Sequence, residues 1–461
     1  MANERKTETF VRDHFRPSTG LITLEEQKSD IPRIEKLLKT ASKRGTGIGR
    51  PEFIITYNEN SDFLTVVECK ADVSKHESKT KDRFSEFAVD GVLLYSSYLS
   101  KEFDVLAIAV SGEQERQAKV SHFLQLKNER NAVPIFGEHL LSTNDYLQGY
   151  LKSPEKLRQD YNSLLDFSKK LNETLHGHKI LESQRSLLIS CILIALEHSP
   201  FKVAYKQYTD PAELSNYLVN TVVDSLKKAK VQTATLKNLD IQFGFIRTDT
   251  SLSTKLDVLK NLITDIDDNI NGFMKNHRYY DVLGQLYVEF LRYANSDKGL
   301  GIVLTPPHIT ELFSDLAQVN KDSIVYDNCT GTGGYLISAM SKMVKDAKGD
   351  QAAIESIKTS QLVGVEYQSH IFALACSNMY IHQDGKTNIL NGDCFDRGVM
   401  AAIQDRKPTT GFLNPPYKAD RKKDIEELRF VLNNLECLAP RGTCIAIVPM
   451  QSALAQKGRI Y

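Results

Sequence analysis

Near the end of the chain, Asn414-Pro415-Pro416-Tyr417 follows a short apolar approach, Gly411-Phe412-Leu413, as a loop follows a strand. The Asn414 side-chain oxygen and the Pro415 carbonyl are both acceptors, and two consecutive prolines hold the backbone so that both can face one point. An exocyclic NH₂ has two hydrogens to give to such a pair. Drawing on both makes its nitrogen more nucleophilic without a general base, while Tyr417 offers a π-face for the ring. For these four residues alone, a Pro-rich turn after a buried strand is the plain alternative. Upstream, Asp327-Asn328-Cys329-Thr330-Gly331-Thr332-Gly333-Gly334 lies between an expected strand at 323–326 and an expected helix at 335–344. A glycine loop there lets a ligand approach the backbone at the carboxyl edge of a parallel sheet. Glu366 ends a second strand (362–366), placed to accept from both hydroxyls of a ribose, and Asp393 ends a third (389–393), suited to an adenine amine. Glycine loop, acid, acid and amine clamp at four successive strand ends would be an improbable coincidence.

A second group of reactive types sits near the start. The segment 50–56 reads as a strand containing Glu52, and 63–70 as its hairpin partner ending in Glu68-Cys69-Lys70. Side chains two apart share a strand face, so Glu68 and Lys70 project together, and the hairpin brings Glu52 close. Two carboxylates and a lysine can bind a divalent cation, polarise a phosphate and generate a water nucleophile. A cross-strand salt bridge would use the same residues.

The elements around these groups are α/β in pattern. Residues 30–43 have helical spacing with a mostly basic face of Arg33, Lys36, Lys39 and Lys43, and 84–98 and 104–111 read as a helix and a buried strand. From 150 to 290 the periodicity is helical without a catalytic signal; His176 and His178 are loop residues on this reading. Residues 280–291 predict another helix, and Thr305-Pro306-Pro307 opens one more, with prolines where a missing N–H costs nothing.

At 461 residues the chain is too long for one compact domain, and length suggests about three. Its 58 basic and 58 acidic residues cancel, which excludes a global field for nucleic acid and leaves only local patches. Seven cysteines without a CxxC spacing read as reduced thiols, with no structural zinc expected. The polar start, Met-Ala-Asn-Glu-Arg-Lys, lacks the apolar core of a signal peptide, and the longest apolar stretch, Leu187 to Leu196, is too short to span a bilayer. A cytoplasmic protein without membrane contact is the expectation.

The order of helix, Pro-Glu strand, Glu-Cys-Lys strand, tyrosine-bearing helix and strand resembles the PD-(D/E)xK nuclease domain at the N-terminus of restriction enzymes. That resemblance implies Glu52 and Glu68 as Mg²⁺ ligands and Lys70 as the residue that activates water or steadies the transition state. Glu52 stands where that family more often has aspartate, and Glu35 is the candidate for an extra acid. The second constellation resembles the S-adenosylmethionine-dependent amino-methyltransferases, in particular the N6-adenine DNA methyltransferases of restriction–modification systems. Thr305-Pro306-Pro307 ahead of Asp327 matches the order of their gamma class, and 281–291 is similar to the methylation subunits of type I systems. The resemblance implies that Asp327 and the Gly331 to Gly333 loop hold the methionine end of the cofactor and that Thr305 and Pro306 close over it. Glu366 would take the ribose, Asp393 with Phe395 the adenine, and Asn414, Pro415 and Tyr417 the target base. Asn328 and Cys329 replace the more usual proline-containing pair after Asp327. Double-stranded DNA is the implied partner, with the adenine flipped from the stack onto Tyr417. The run Lys418, Arg421, Lys422 and Lys423 would hold phosphates, or else form a solvated loop.

Together these parts look like the single-chain restriction-and-modification enzymes of the type IIG kind. The fold expected is a restriction-endonuclease-like α/β domain (1–150), a helical connector (151–278) and a Rossmann-like methyltransferase with a mostly parallel sheet (279–461). Two rivals remain: a methylation subunit whose head holds DNA or assembles without cutting, and an enzyme methylating glutamine amides of proteins, a family that shares the Asn-Pro-Pro-Tyr clamp but lacks the nuclease-like head and the upstream Thr-Pro-Pro segment. Only thirteen residues follow the expected fifth strand (443–448), so a closing hairpin and a target-reading domain are expected to be missing, or replaced by a separate specificity subunit.

Overall fold

The computed structural model describes residues 3–16, 20–43, 47–58, 60–229, 231–277, 280–292, 305–383, 388–417 and 426–450. The basic run at 418–423 and the residues after 450 lie outside them. The chain divides into two compact units, Met1–Gln159 and Asp160–Tyr461.

In the first unit, β1 (Ile22–Glu26), β2 (Phe53–Tyr57), β3 (Asn60–Lys70), β4 (Asp104–Ser111), β5 (Lys119–Gln125) and β6 (Val133–Pro134) form one sheet in chain order. Every pairing is antiparallel except β3 with β4, which the crossover helix Ala88–Leu99 makes parallel. Alternation drives both faces inward. Phe63, Val67 and Cys69 of β3 join Val11 and Phe15 of the Glu4–Phe15 helix, whereas Leu64 and Val66 join Ile34, Val92 and Tyr95 on the other side. A sheet covered on both faces leaves its strand ends as the places where polar side chains can gather.

Two helices are shorter than their periodicity predicts, for tertiary reasons. The helix expected over 30–43 covers only Pro32–Leu38, because the returning chain donates Gly49 N to Leu38 O (2.7 Å) and ends it there. A side chain at Gly49 would bring its Cβ within 2.7 Å of Ala41 O, so the close return needs glycine. Lys43 therefore sits on the loop beyond that helix. The helix expected from 84 begins at Ala88, since the buried Asp90 carboxylate accepts from Ser78 N (3.2 Å) and Arg83 N (2.9 Å) and draws the preceding residues into a loop around it.

In the second unit, β7 (Val325–Asp327), β8 (Leu362–Glu366), β9 (Ile389–Asn391), β10 (Thr410–Leu413) and β11 (Thr443–Ala446) lie in the order β11-β10-β7-β8-β9. All described pairings are parallel. The chain steps outward from β7 to β9 and then returns to the other side of β7 as β10. That reversal opens a crevice at the carboxyl ends of β7 and β10, where such sheets bind ligands. The helix Glu182–Leu196, buried from Arg185 onward, packs against the sheet's Ser369–Ile381 helix and against Pro211–Lys228 and Val282–Arg292. These helices belong to the same compact unit as the sheet. No single described helix is long and apolar enough to cross a membrane, and none of the seven cysteines is joined in a disulfide among the described residues.

Candidate active site

β7 delivers Asp327, wholly buried, to the crevice; its Oδ1 accepts Cys329 N (2.9 Å). Burial pushes the Asp327 carboxyl up to about 7, against the pull of that amide. The chain then turns through Gly331 (φ +55°) and Gly333 (φ +91°), left-handed conformations that favour glycine. Thr330 Oγ1 lies 3.0 Å from both Asp327 O and Val365 O, tying this loop to β8. Gly364 on β8 has no room for a side chain, because a Cβ there would run into Thr330 Oγ1.

Glu366 ends β8 and reaches across to the same loop. Gly331 N donates to its Oε2 (3.0 Å) and Gln368 N to its Oε1 (2.8 Å), while burial raises its carboxyl above the ordinary range. The glycine loop and the predicted ribose acid are thus brought together. Beyond β9, Asp393 is exposed and its Oδ1 accepts Phe395 N (2.9 Å); the Phe395 ring meets Phe430 edge-on at 4.9 Å. At the end of β10, Asn414 Nδ2 donates to Thr305 Oγ1 (3.1 Å). Pro306 caps the Pro307–Leu316 helix, as proline in a first turn can. Pro415 is buried, and Tyr417 is exposed.

In the first unit, Glu52 immediately precedes β2, and Glu68 and Lys70 close β3. Glu52 Oε2 accepts Cys69 N (3.2 Å). The Glu68 side chain is fully buried; its Oε1 accepts from Lys43 and from Lys70 Nζ (3.2 Å), and its Oε2 meets no donor among the described residues. Lys43 Nζ also lies 3.7 Å from Glu52 Oε1, and Lys70 Nζ 2.7 Å from Glu4 Oε1. Burial first, and then the Glu68 charge, hold the Glu52 carboxyl well above the carboxylate range. Gly91 lets the Ala88–Leu99 helix approach: a Cβ there would stand 3.1 Å from Glu68 Cδ. Glu35 is engaged elsewhere, accepting Ser29 N (2.8 Å). The further acids near this group are Glu4 and Glu8, the latter raised by burial and by the Glu52 charge. Among the described residues no three His, Cys, Asp or Glu side chains form a metal cage. Two carboxylates with one bare oxygen suit a cation that keeps most of its ligands as water or phosphate, which is the habit of Mg²⁺.

Residues 278–460 match the family described as N-6 DNA methylase. Over 495 aligned positions the chain is 31% identical to the type II restriction enzyme and methyltransferase RM.BcgI of Heyndrickxia coagulans, a match covering 100% of this chain and 76% of that protein. The chain belongs to the N6-adenine DNA methyltransferases of restriction–modification systems. A 77-residue stretch is 36% identical to the MjaIX type I methylase subunit of Methanocaldococcus jannaschii, covering 16% of this chain and 14% of that one. A chain of a type I restriction–modification assembly aligns structurally with TM-score 0.43 at 17% identity, over 63% of this chain and 65% of its own length.

The half-buried Asp281 and the buried Asp327 and Glu366 of this adenine methyltransferase gather at the crevice, and among the described residues no lysine or arginine contributes to the field at any of them. Burying negative charge without a counter-ion is costly unless a cation arrives. S-adenosylmethionine, the methyl donor expected of such an enzyme, carries a sulfonium and an ammonium, so the residues present fit it. Sequence reasoning missed several parts of the methyltransferase site. Asn328 Nδ2 donates to Asn433 Oδ1 (2.8 Å) and Phe430 O (2.9 Å), Asn433 Nδ2 to Cys394 O (2.8 Å), and Asn434 Nδ2 to Asn328 Oδ1 (3.1 Å). These amides lash the loops after β7 and β9 to the Glu427–Cys437 helix.

Proposed function

We propose that the chain methylates the N6 amine of adenine in double-stranded DNA, with S-adenosylmethionine held by Thr305, Pro306, Asp327, Gly331, Gly333, Glu366, Asp393 and Phe395. The observation that carries this reading is the Asn414 to Thr305 hydrogen bond at the crevice where three carboxylates gather without a lysine or arginine partner among the described residues. When bound, the cofactor supplies an electrophilic methyl on a positively charged sulfur. Thr305 turns the Asn414 amide so that its oxygen, with the Pro415 carbonyl, accepts the two hydrogens of the target amine and leaves the nitrogen lone pair available. Tyr417, exposed beside this clamp, takes the face of the flipped base. Alignment supplies most of the rate, because no proton need leave before the bond forms. Labelled methyl from the cofactor should appear in DNA and not in protein. Label on glutamine of a protein, with none in DNA, would overturn the reading.

The first unit adds a second activity on this reading: Mg²⁺-dependent cleavage of unmethylated DNA, with Glu52 and Glu68 as metal ligands and Lys70 beside the scissile phosphate. Its support is the bare Glu68 oxygen and the raised Glu52 carboxyl, both of which a divalent cation would relieve. The alternative, a head that holds DNA or assembles a complex without cutting, is favoured by the lysines that already neutralise the pair. Cutting of unmethylated DNA with Mg²⁺ and not with EDTA separates them. Sequence preference would come from a specificity subunit or a target-recognition domain, in keeping with a chain of zero formal net charge.

A further inference from the structure

Asp281 lies just ahead of the Val282–Arg292 helix, and its carboxylate gathers donors from three separate elements. Oδ1 accepts Gly284 N (2.8 Å) from its own helix and Asn378 Nδ2 (2.7 Å) from the Ser369–Ile381 helix. Oδ2 accepts Thr332 Oγ1 (3.0 Å) from the middle of the glycine loop. Asn378 Nδ2 also donates to Thr332 O (2.9 Å), so Asp281, Thr332 and Asn378 close a triangle around that loop. Glycines on two sides make space for the carboxylate: a Cβ at Gly334 would come within 3.0 Å of Oδ2, and one at Gly284 would collide with it. The group lines a small cleft together with Thr305, Gly331, Thr332, Tyr335 and Asn414. Three donors on this half-buried carboxylate leave lone-pair capacity unused, and among the described residues no basic side chain contributes to its field.

We propose that Asp281 is a charge-bearing positioning residue of the methyltransferase site, which sets the glycine loop through Thr332 and Asn378 and turns its negative charge toward the cationic methionine end of the cofactor. The inference rests on the cofactor reading above. Fixing the loop needs acceptors but no net charge; the carboxylate adds a field that strengthens in a water-poor cleft.

The test separates charge from scaffold by comparing S-adenosylmethionine with 5′-methylthioadenosine, which lacks the amino-acid end and the sulfonium. Asp281→Asn retains shape and one acceptor oxygen. Calorimetric affinity for S-adenosylmethionine should fall by about tenfold or more, as for loss of a charge-assisted contact, while affinity for 5′-methylthioadenosine stays at the wild-type value. An equal fall for both ligands would mean that Asp281 only holds the loop, and no fall for either would mean that it does not act on the site; each overturns the proposal. If Asp281→Asn does not fold, Thr332→Val serves, because removing that hydroxyl lets the carboxylate swing from its place. Weakened binding of the cationic ligand alone supports the proposal, and an equal or absent effect rejects it. Should wild-type protein bind 5′-methylthioadenosine but not S-adenosylmethionine, the cofactor reading itself fails, an outcome distinct from both.

Discussion

The two units treat buried carboxylates in opposite ways. At the end of β3, Glu68 lies between Lys43 and Lys70, and Lys70 is shared with Glu4, so that group carries its own counter-ions. At the ends of β7 and β8, Asp327 and Glu366 accept only backbone amides among the described residues, and burial raises both carboxyls, so ionising them there brings no counter-ion with it. A self-neutralised cluster is stable when empty and must give something up to bind a cation. An unneutralised one is strained when empty and gains from binding. The same residue types are therefore poised as a guarded site in the first unit and a receptive one in the second.

Breaking each site separately is the strongest test of this contrast. Lys70→Ala should lower Mg²⁺-dependent cleavage by about 10³-fold, the scale of losing a transition-state charge contact, and spare methylation. Cleavage that persists in this variant would show that the hairpin is not the cutting site. Asn414→Ala should reduce methyl transfer by about 10²-fold or more through lost alignment and leave cofactor affinity untouched in calorimetry. Retained transfer would reduce the Asn-Pro-Pro-Tyr loop to a structural turn.

Titration sharpens the comparison. With its folded carboxyl raised to about 7 from an ordinary 3.8, Asp327 keeps its proton in the empty protein up to neutrality. The empty protein should therefore lose stability as pH rises from 4 to 7 and level off above. A cationic ligand prefers the ionised form, so cofactor affinity should rise about tenfold from pH 6 to pH 8, one pH unit below the raised value leaving about a tenth of the group ionised. Its titratable neighbours do not reverse this sign: Glu366 is raised as well, and the Cys329 thiol is held well above its usual range by Cys394 and burial. In Asp327→Asn the slope should flatten, and a pH-independent affinity in wild-type protein would argue against a cation near this group. The smallest effect belongs to Lys43→Met, which removes the internal competitor and should tighten Mn²⁺ binding by about threefold, within the range of a partly buried ion pair. Weaker binding in that variant would mean that Lys43 helps the cation.

What could be read from the chain alone divides along physical lines. β4 (Asp104–Ser111) and β8 (Leu362–Glu366) fall on the residues predicted for them, because each is a continuous apolar run bounded by polar residues. The strand-end residues Asp327, Glu366 and Asn414 were legible for the same reason: a strand that stops names its own last residue. The Pro32–Leu38 and Ala88–Leu99 helices were overextended, since Gly49 and Asp90 shorten them by contacts across the fold. Asp281 passed as a residue inside the expected helix 280–291, and Lys43 as one member of a basic face. Each acquires its meaning only from partners distant in sequence, Asn378 and Thr332 for one, Glu68 for the other.

The neighbouring placement of β10 and β7, with Phe412 paired to Asp327, has a consequence for how this scaffold could diversify. The proposed clamp for the acceptor base and the proposed loop for the methyl donor hang from adjacent rungs of one backbone ladder, whose spacing of about 4.8 Å is a constant of β-structure. Side-chain replacement can barely alter the span between the two reacting groups. On the proposed reading, a change in which DNA is chosen would fall to the connecting loops, which can be rebuilt without altering the ladder that sets the separation for methyl transfer.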